Sequence, residues 1–141
     1  MSTELIEFFS ADLTFDLTPA EIAKYREWIL QAFEEENKQL ESVSIIACSD
    51  PYLLDLNRSY LQHDYFTDIL TFQYNNDPVE GELFISVDRV KENAEDRNIH
   101  FKEELKRVVI HGILHLIGYS DKEQEEKEIM TAKEDSYLSA W

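Results

Sequence analysis

His111 and His115 stand four residues apart in the run His111-Gly112-Ile113-Leu114-His115. On a helix that spacing projects both imidazoles from one face, with Cα atoms about 6 Å apart, which suits two ligands of one tetrahedral ion. A lone histidine on an apolar helix is ordinarily a core residue satisfied by a carbonyl, but two on one face point to a shared cation. Each imidazole buried without a partner would cost on the order of 1–3 kcal/mol. Gly118 then ends the helix where a left-handed residue is wanted and lets Tyr119-Ser120-Asp121 swing back toward the rings, so Asp121 is the natural third ligand. Two imidazole nitrogens and one carboxylate oxygen leave a vertex open to water, as in a catalytic zinc site. The same triad matches the facial set of non-haem Fe(II) oxygenases, and a metal that merely fixes the last loop is a third reading.

Those ligands need an element that holds them still. Residues 101–118 form the strongest helix in the sequence, because Leu105, Val108, Val109, Ile110, Ile113, Leu114, Leu116 and Ile117 leave almost no polar side in its second half. That half must be surrounded by protein. Upstream, residues 5–9 read as a first strand. Thr18-Pro19-Ala20-Glu21 then supplies a capping Thr, a Pro in the first helical position and a Glu three after the cap. The helix it opens carries Ile22, Tyr25, Trp28, Ile29, Ala32 and Phe33 as one apolar stripe. Val43 to Cys48 reads as a buried strand, and Ser49-Asp50-Pro51 starts a short helix toward Tyr60. Residues 69–74 and 82–87 are strands that suggest a hairpin or nearby pair, 88–97 a polar helix, and 122–138 an acidic surface helix with Ile129, Met130, Ala132 and Leu138 as its apolar face. Strands separated by helices predict an α+β fold, a single mixed β-sheet packed with helices, over one domain spanning residues 1–141.

Composition narrows the function. The chain has 141 residues, 43% hydrophobic and 12% aromatic with 3 Gly and 3 Pro, which excludes collagen-like and disordered classes. Its net charge of −17 repels phosphate polymers in bulk, so any nucleic-acid role must rest on a local site. Cys48, the one cysteine, lies within an apolar run, which rules out an internal disulfide and any thiolate metal site. The sequence shows no signal peptide or membrane span, and a soluble, cytoplasmic protein is expected.

The string from His111 to Tyr119 resembles the signature of the YbeY family, bacterial metal-dependent endoribonucleases of ribosomal RNA maturation. The family pattern reads HGxLHLxGYDH, preceded by an Asn-rich helix end, a segment like TDVLSF and one like GDIxIS. This chain supplies Leu56-Asn57, then Thr67-Asp68-Ile69-Leu70-Thr71-Phe72, then Gly81-Glu82-Leu83-Phe84-Ile85-Ser86, and Met130 follows the motif. The similarity spans about residues 43–138. It implies a zincin-like metal helix followed by a loop that carries the third ligand, one Zn²⁺ ion, single-stranded RNA or rRNA as substrate, and the ribosome or its proteins as partners.

Two positions depart from the family. The third ligand is usually His where Asp121 stands, and Ser120 replaces the usual Asp. Aspartate is a competent zinc ligand, but its charge should leave the bound water less acidic and favours a different ion. The family's phosphate-contacting Arg falls at Leu61. Arg58, His63 and Lys106 are the substitutes, with Arg58 first because it shares the short helix. Helix-borne zinc proteases use His-Glu-x-x-His, and Gly112 in the Glu position weakens that reading. The chemistry expected is therefore phosphodiester cleavage, with metal ligands His111, His115 and Asp121, and with Asp68 or Asp64 as base or orienting group. The nucleophile is water or the RNA's own 2′-hydroxyl. Arg58, Lys102, Lys106 and Arg107 form the candidate basic strip for RNA.

Overall fold

The computed structural model describes residues 5–63 and 66–141, so Asp64 lies outside the described residues. The elements run β1 (Ile6–Ser10), α1 (Pro19–Glu35), β2 (Leu40–Cys48), α2 (Asp50–Leu61), β3 (Ile69–Asn76), β4 (Val79–Ser86), α3 (Val87–Arg97), α4 (Phe101–Ile117) and α5 (Gln124–Ser139). The strands form one mixed sheet in the order β1-β2-β4-β3. β1 pairs with β2 and β2 with β4 in parallel, whereas β3 and β4 form the expected antiparallel hairpin.

Local chemistry explains where the helices start. Thr18 accepts from the Glu21 amide while the Glu21 carboxylate accepts from the Thr18 amide, the reciprocal cap read in the sequence. Ser49 caps α2 by accepting from the Tyr52 amide, with Pro51 in the first turn.

Strand alternation splits the interior into two cores. Leu83 and Ile85 of β4 join the large core with Ile110, Ile113 and Leu114 of α4, whereas Phe84 points the other way, to a small core of Cys48, Leu53 and Leu70 beneath α2. Helix α4 thus lies across one face of the sheet and α2 across the other. From Leu105 to Ile117, α4 is buried on nearly every side, as its apolar sequence demands. Gly112 seats it on the sheet: a Cβ there would fall 2.7 Å from Ile69 Cδ1 and 2.9 Å from Leu83 Cδ1. The residue that breaks the protease motif is therefore a packing residue. Cys48 is fully buried, and burial pushes its thiol up to about 12, consistent with a spectator thiol.

One element differs from its sequence reading. The buried face of α5 is Met130, Glu134 and Tyr137, with Leu138 half-buried against the core; of the expected apolar face Met130 and Leu138 turn inward, whereas Ile129, at 51% exposed, and Ala132 face outward. Spacings of four and three still define a helical face, but its middle member is a carboxylate that hydropathy sends outward. What holds it inward is a partner on α4.

Candidate metal centre

Helix α4 presents Arg107, His111 and His115 at successive four-residue steps. Gly118 closes the helix with φ of +125°, and the Tyr119 amide donates to the Leu114 carbonyl at 3.0 Å. The reversal brings Asp121 Oδ2 to 3.3 Å from both His111 Nε2 and His115 Nε2, which are themselves 3.0 Å apart. Of the described residues, these three form the cluster able to hold a metal ion.

The donor set fits such an ion. For ligand bonds of about 2.0–2.1 Å, the edge of a regular tetrahedron is roughly 3.3 Å, and this triangle has sides of 3.0, 3.3 and 3.3 Å. The tautomers agree with it. His111 Nδ1 lies 2.5 Å from Glu134 Oε2 and His115 Nδ1 lies 3.0 Å from the Tyr119 carbonyl oxygen. Both partners are acceptors, so each Nδ1 carries the hydrogen and each Nε2 offers a lone pair. Two lone pairs facing each other at 3.0 Å repel unless a shared cation or proton lies between them.

A second layer fixes the rings. Glu134 is 6% exposed and also receives Arg107 Nη1 at 3.3 Å, while the other arm of that guanidinium meets Asp135. Burial alone would lower the His111 pKa, but the Glu134 carboxylate, aided by Asp121 and Asp68, raises it above the ordinary value. The loop has its own anchor. Glu36, at the end of α1, accepts from the Tyr119 hydroxyl at 2.6 Å, the Tyr137 hydroxyl and Lys133 Nζ at 3.1 Å. Burial acts to raise the Glu36 pKa, and these three donors overcome it and lower the value.

Beside the triangle opens a cavity of about 310 Å³, whose wall includes Asp68, Arg97, Arg107, His111, Asp121 and Glu134. Asp68 is therefore brought to the site, and burial raises its carboxyl above the usual range. Arg58 is not: it is exposed on α2, across the sheet from α4, and does not line this cavity. Lys102 pairs with Glu21 at 2.7 Å and Lys106 with Glu103 at 3.1 Å, also away from the cavity wall. Of the expected basic strip, Arg107 alone lines the cavity, joined by Arg97 and Lys127. Sequence reading missed Arg97, Lys127 and Glu134 because each reaches the site from an element other than the motif helix. Glu134 alone left a trace, its four-residue spacing from Met130.

Comparison with known proteins then decides the family. The profile described as Endoribonuclease YbeY matches residues 9–141. The chain belongs to the YbeY family. A Cytophaga hutchinsonii protein named Endoribonuclease YbeY is 45% identical over 141 residues, covering 99% of this chain and 97% of its own. A Flavobacterium psychrophilum protein of the same name is 41% identical, with 92% of each chain covered. The solution structure of a Thermotoga maritima protein superimposes with a TM-score of 0.66 at 29% identity, covering 94% of this chain and 86% of that one. Family membership places the protein among RNA-cleaving hydrolases.

Proposed function

We propose that residues 1–141 act as one metallohydrolase domain, a zinc-dependent endoribonuclease that cuts single-stranded RNA in ribosomal RNA maturation. The observation that carries this reading is the triangle of His111, His115 and Asp121, whose edges match those of a tetrahedral ion's ligand shell. Bound there, a divalent ion supplies Lewis acidity toward a phosphodiester and its nucleophile. The protein does the rest. Glu134 and the Tyr119 carbonyl hold the two imidazoles in the ligand tautomer. Asp68, with its raised pKa, stands in the cavity to orient the nucleophile or accept its proton.

Charge accounts for how so acidic a chain takes RNA. The cavity wall carries Arg97, Arg107 and Lys127 against Asp68, Glu104, Asp121 and Glu134, one negative charge in excess. A divalent ion turns that excess to one positive charge, a local site for phosphate within a body of net charge −17. Phosphate contact therefore passes from Arg58 to Arg97, Arg107 and Lys127. The acidic remainder favours delivery of substrate by the ribosome or its proteins, in the cytoplasm. Among the described residues no helix is long and apolar enough to cross a membrane.

The test is cleavage of a labelled single-stranded RNA by wild type, by chelator-treated protein and by His115→Ala. Both treatments abolish cutting while the circular dichroism spectrum persists. Full cleavage without any divalent ion overturns the proposal. A 2′,3′-cyclic phosphate on the product marks attack by the 2′-hydroxyl, and continued cutting at a site whose 2′-hydroxyl is replaced by hydrogen marks attack by water.

A further inference from the structure

The sheet face opposite α4 is only partly covered by α2. Between the helix and the hairpin, Leu56 and Tyr60 of α2 and Phe72, Tyr74, Glu82 and Phe84 of β3 and β4 line a groove of about 380 Å³. Its aromatic walls stand nearly at right angles: Tyr60 meets Phe72 at 86° with centroids 6.2 Å apart, and Phe72 meets Phe84 at 88° and 5.7 Å. Tyr60 and Tyr74, at 69% and 60%, are the two most exposed large hydrophobic side chains among the described residues. The Tyr74 hydroxyl donates to Glu82 Oε1 at 2.5 Å, which fixes a carboxylate at the rim.

Ring faces carry negative charge density, so several of them beside a carboxylate attract an ammonium or guanidinium group. Phosphate is disfavoured there, since Glu80 precedes Glu82 on the same strand and the whole chain is strongly acidic. The fold uses this chemistry elsewhere. The four cation–π contacts among the described residues place Lys24 and Lys106 over Trp141, Arg89 over Phe66 and Lys133 over Tyr119. Position adds a second reason: β3, which supplies Phe72 and Tyr74, is an edge strand, so an extended segment can lie alongside it.

We propose that this aromatic groove docks a Lys- or Arg-bearing segment of a basic protein partner, on the face of the sheet opposite the metal centre. The segment's cation sits among Tyr60, Phe72 and Tyr74 while Glu82 neutralises it. RNA held at the metal centre and a protein held here would occupy opposite faces of one sheet.

The probe is a short fluorescent Lys/Arg/Gly peptide titrated into the full chain by anisotropy, with aromatic proton NMR as the map. Binding shifts the Tyr60, Phe72 and Tyr74 ring signals. Tyr60→Ala, Tyr74→Ala and Glu82→Gln each weaken it by about fivefold or more, whereas Glu125→Gln on α5, which removes an equal charge elsewhere, leaves it unchanged. Equal weakening by Glu125→Gln, or none in the groove variants, shows diffuse attraction to an acidic surface and overturns the proposal. So does a single-stranded RNA, or a free polyamine, that shifts the same rings at lower concentration than the peptide. None of these readouts involves RNA cleavage, so the metal centre can fail its own test without deciding this one.

Discussion

Glu134 offers the sharpest test of how the centre is built, because nothing about it was chosen for its place in a motif. Its carboxylate accepts from His111 Nδ1 at 2.5 Å and from Arg107 at 3.3 Å, and it is 6% exposed. Glu134→Gln keeps the shape but exchanges a charge-assisted hydrogen bond for a neutral one of roughly half the strength, a loss of about 1–2 kcal/mol. It also sets an amide –NH₂ against either the ring N–H or the guanidinium. Glu134→Ala removes the acceptor and leaves His111 free to turn. The expected loss of divalent-ion affinity is about 10-fold for Gln and toward 100-fold for Ala, the range seen when a ligand's supporting partner is removed. Competition against a chromophoric chelator measures it, with zinc as the ion and circular dichroism as the check on folding. Wild-type affinity in both variants would show that Glu134 merely fills space and would refute the reasoning.

Other consequences follow from single side chains. Asp121→Ala should lose the ion while keeping its helical content, whereas Asp121→His, which restores the family's usual ligand, should retain it; elemental analysis after dialysis distinguishes the two. Gly112→Glu, which writes the protease motif into α4, should destabilise the protein strongly without creating a protease. It drives a carboxylate into Ile69 and Leu83, and an uncompensated buried charge costs about 3–5 kcal/mol or more, against a typical total stability of about 5–15 kcal/mol. A cooperative melt near the wild-type temperature would contradict this. Glu36 governs an acid limb. Its folded pKa lies below the ordinary 4.5, so its stabilisation is complete above that value and is lost as pH falls through the folded pKa. Glu36→Gln should therefore lower stability at neutral pH and flatten the decline below about pH 4.5 in urea titrations, and an unchanged slope would sink the assignment.

What could be read from the sequence is what local chemistry dictates. The Thr18 and Ser49 caps, the apolar stripe of α1, the enveloped second half of α4 and the hairpin of β3 with β4 all follow from spacing and turn residues alone. The grouping of His111, His115 and Asp121 as a candidate metal site was legible for the same reason, since they and Gly118 lie within eleven consecutive residues. The supporting layer was not. Glu134 is 23 residues from His111, and Glu36 is 83 from Tyr119, so their roles arise only when α5 and α1 close around α4. Hydropathy then misleads, because a carboxylate buried by partners looks in sequence like any surface Glu. Arg58 failed as a cavity residue for a related reason: nearness to a motif position along the chain did not say on which face of the sheet α2 would pack.

X-ray absorption at the metal edge of zinc-loaded wild type tests the centre most directly. Two imidazole nitrogens and two oxygens, one from Asp121 and one from solvent, should appear at about 2.0–2.1 Å, with a third imidazole contribution in place of the carboxylate in Asp121→His, which keeps the ion. A shell of oxygens alone, or a wild-type spectrum that Asp121→His leaves untouched, would contradict the assignment of His111, His115 and Asp121 as the ligands.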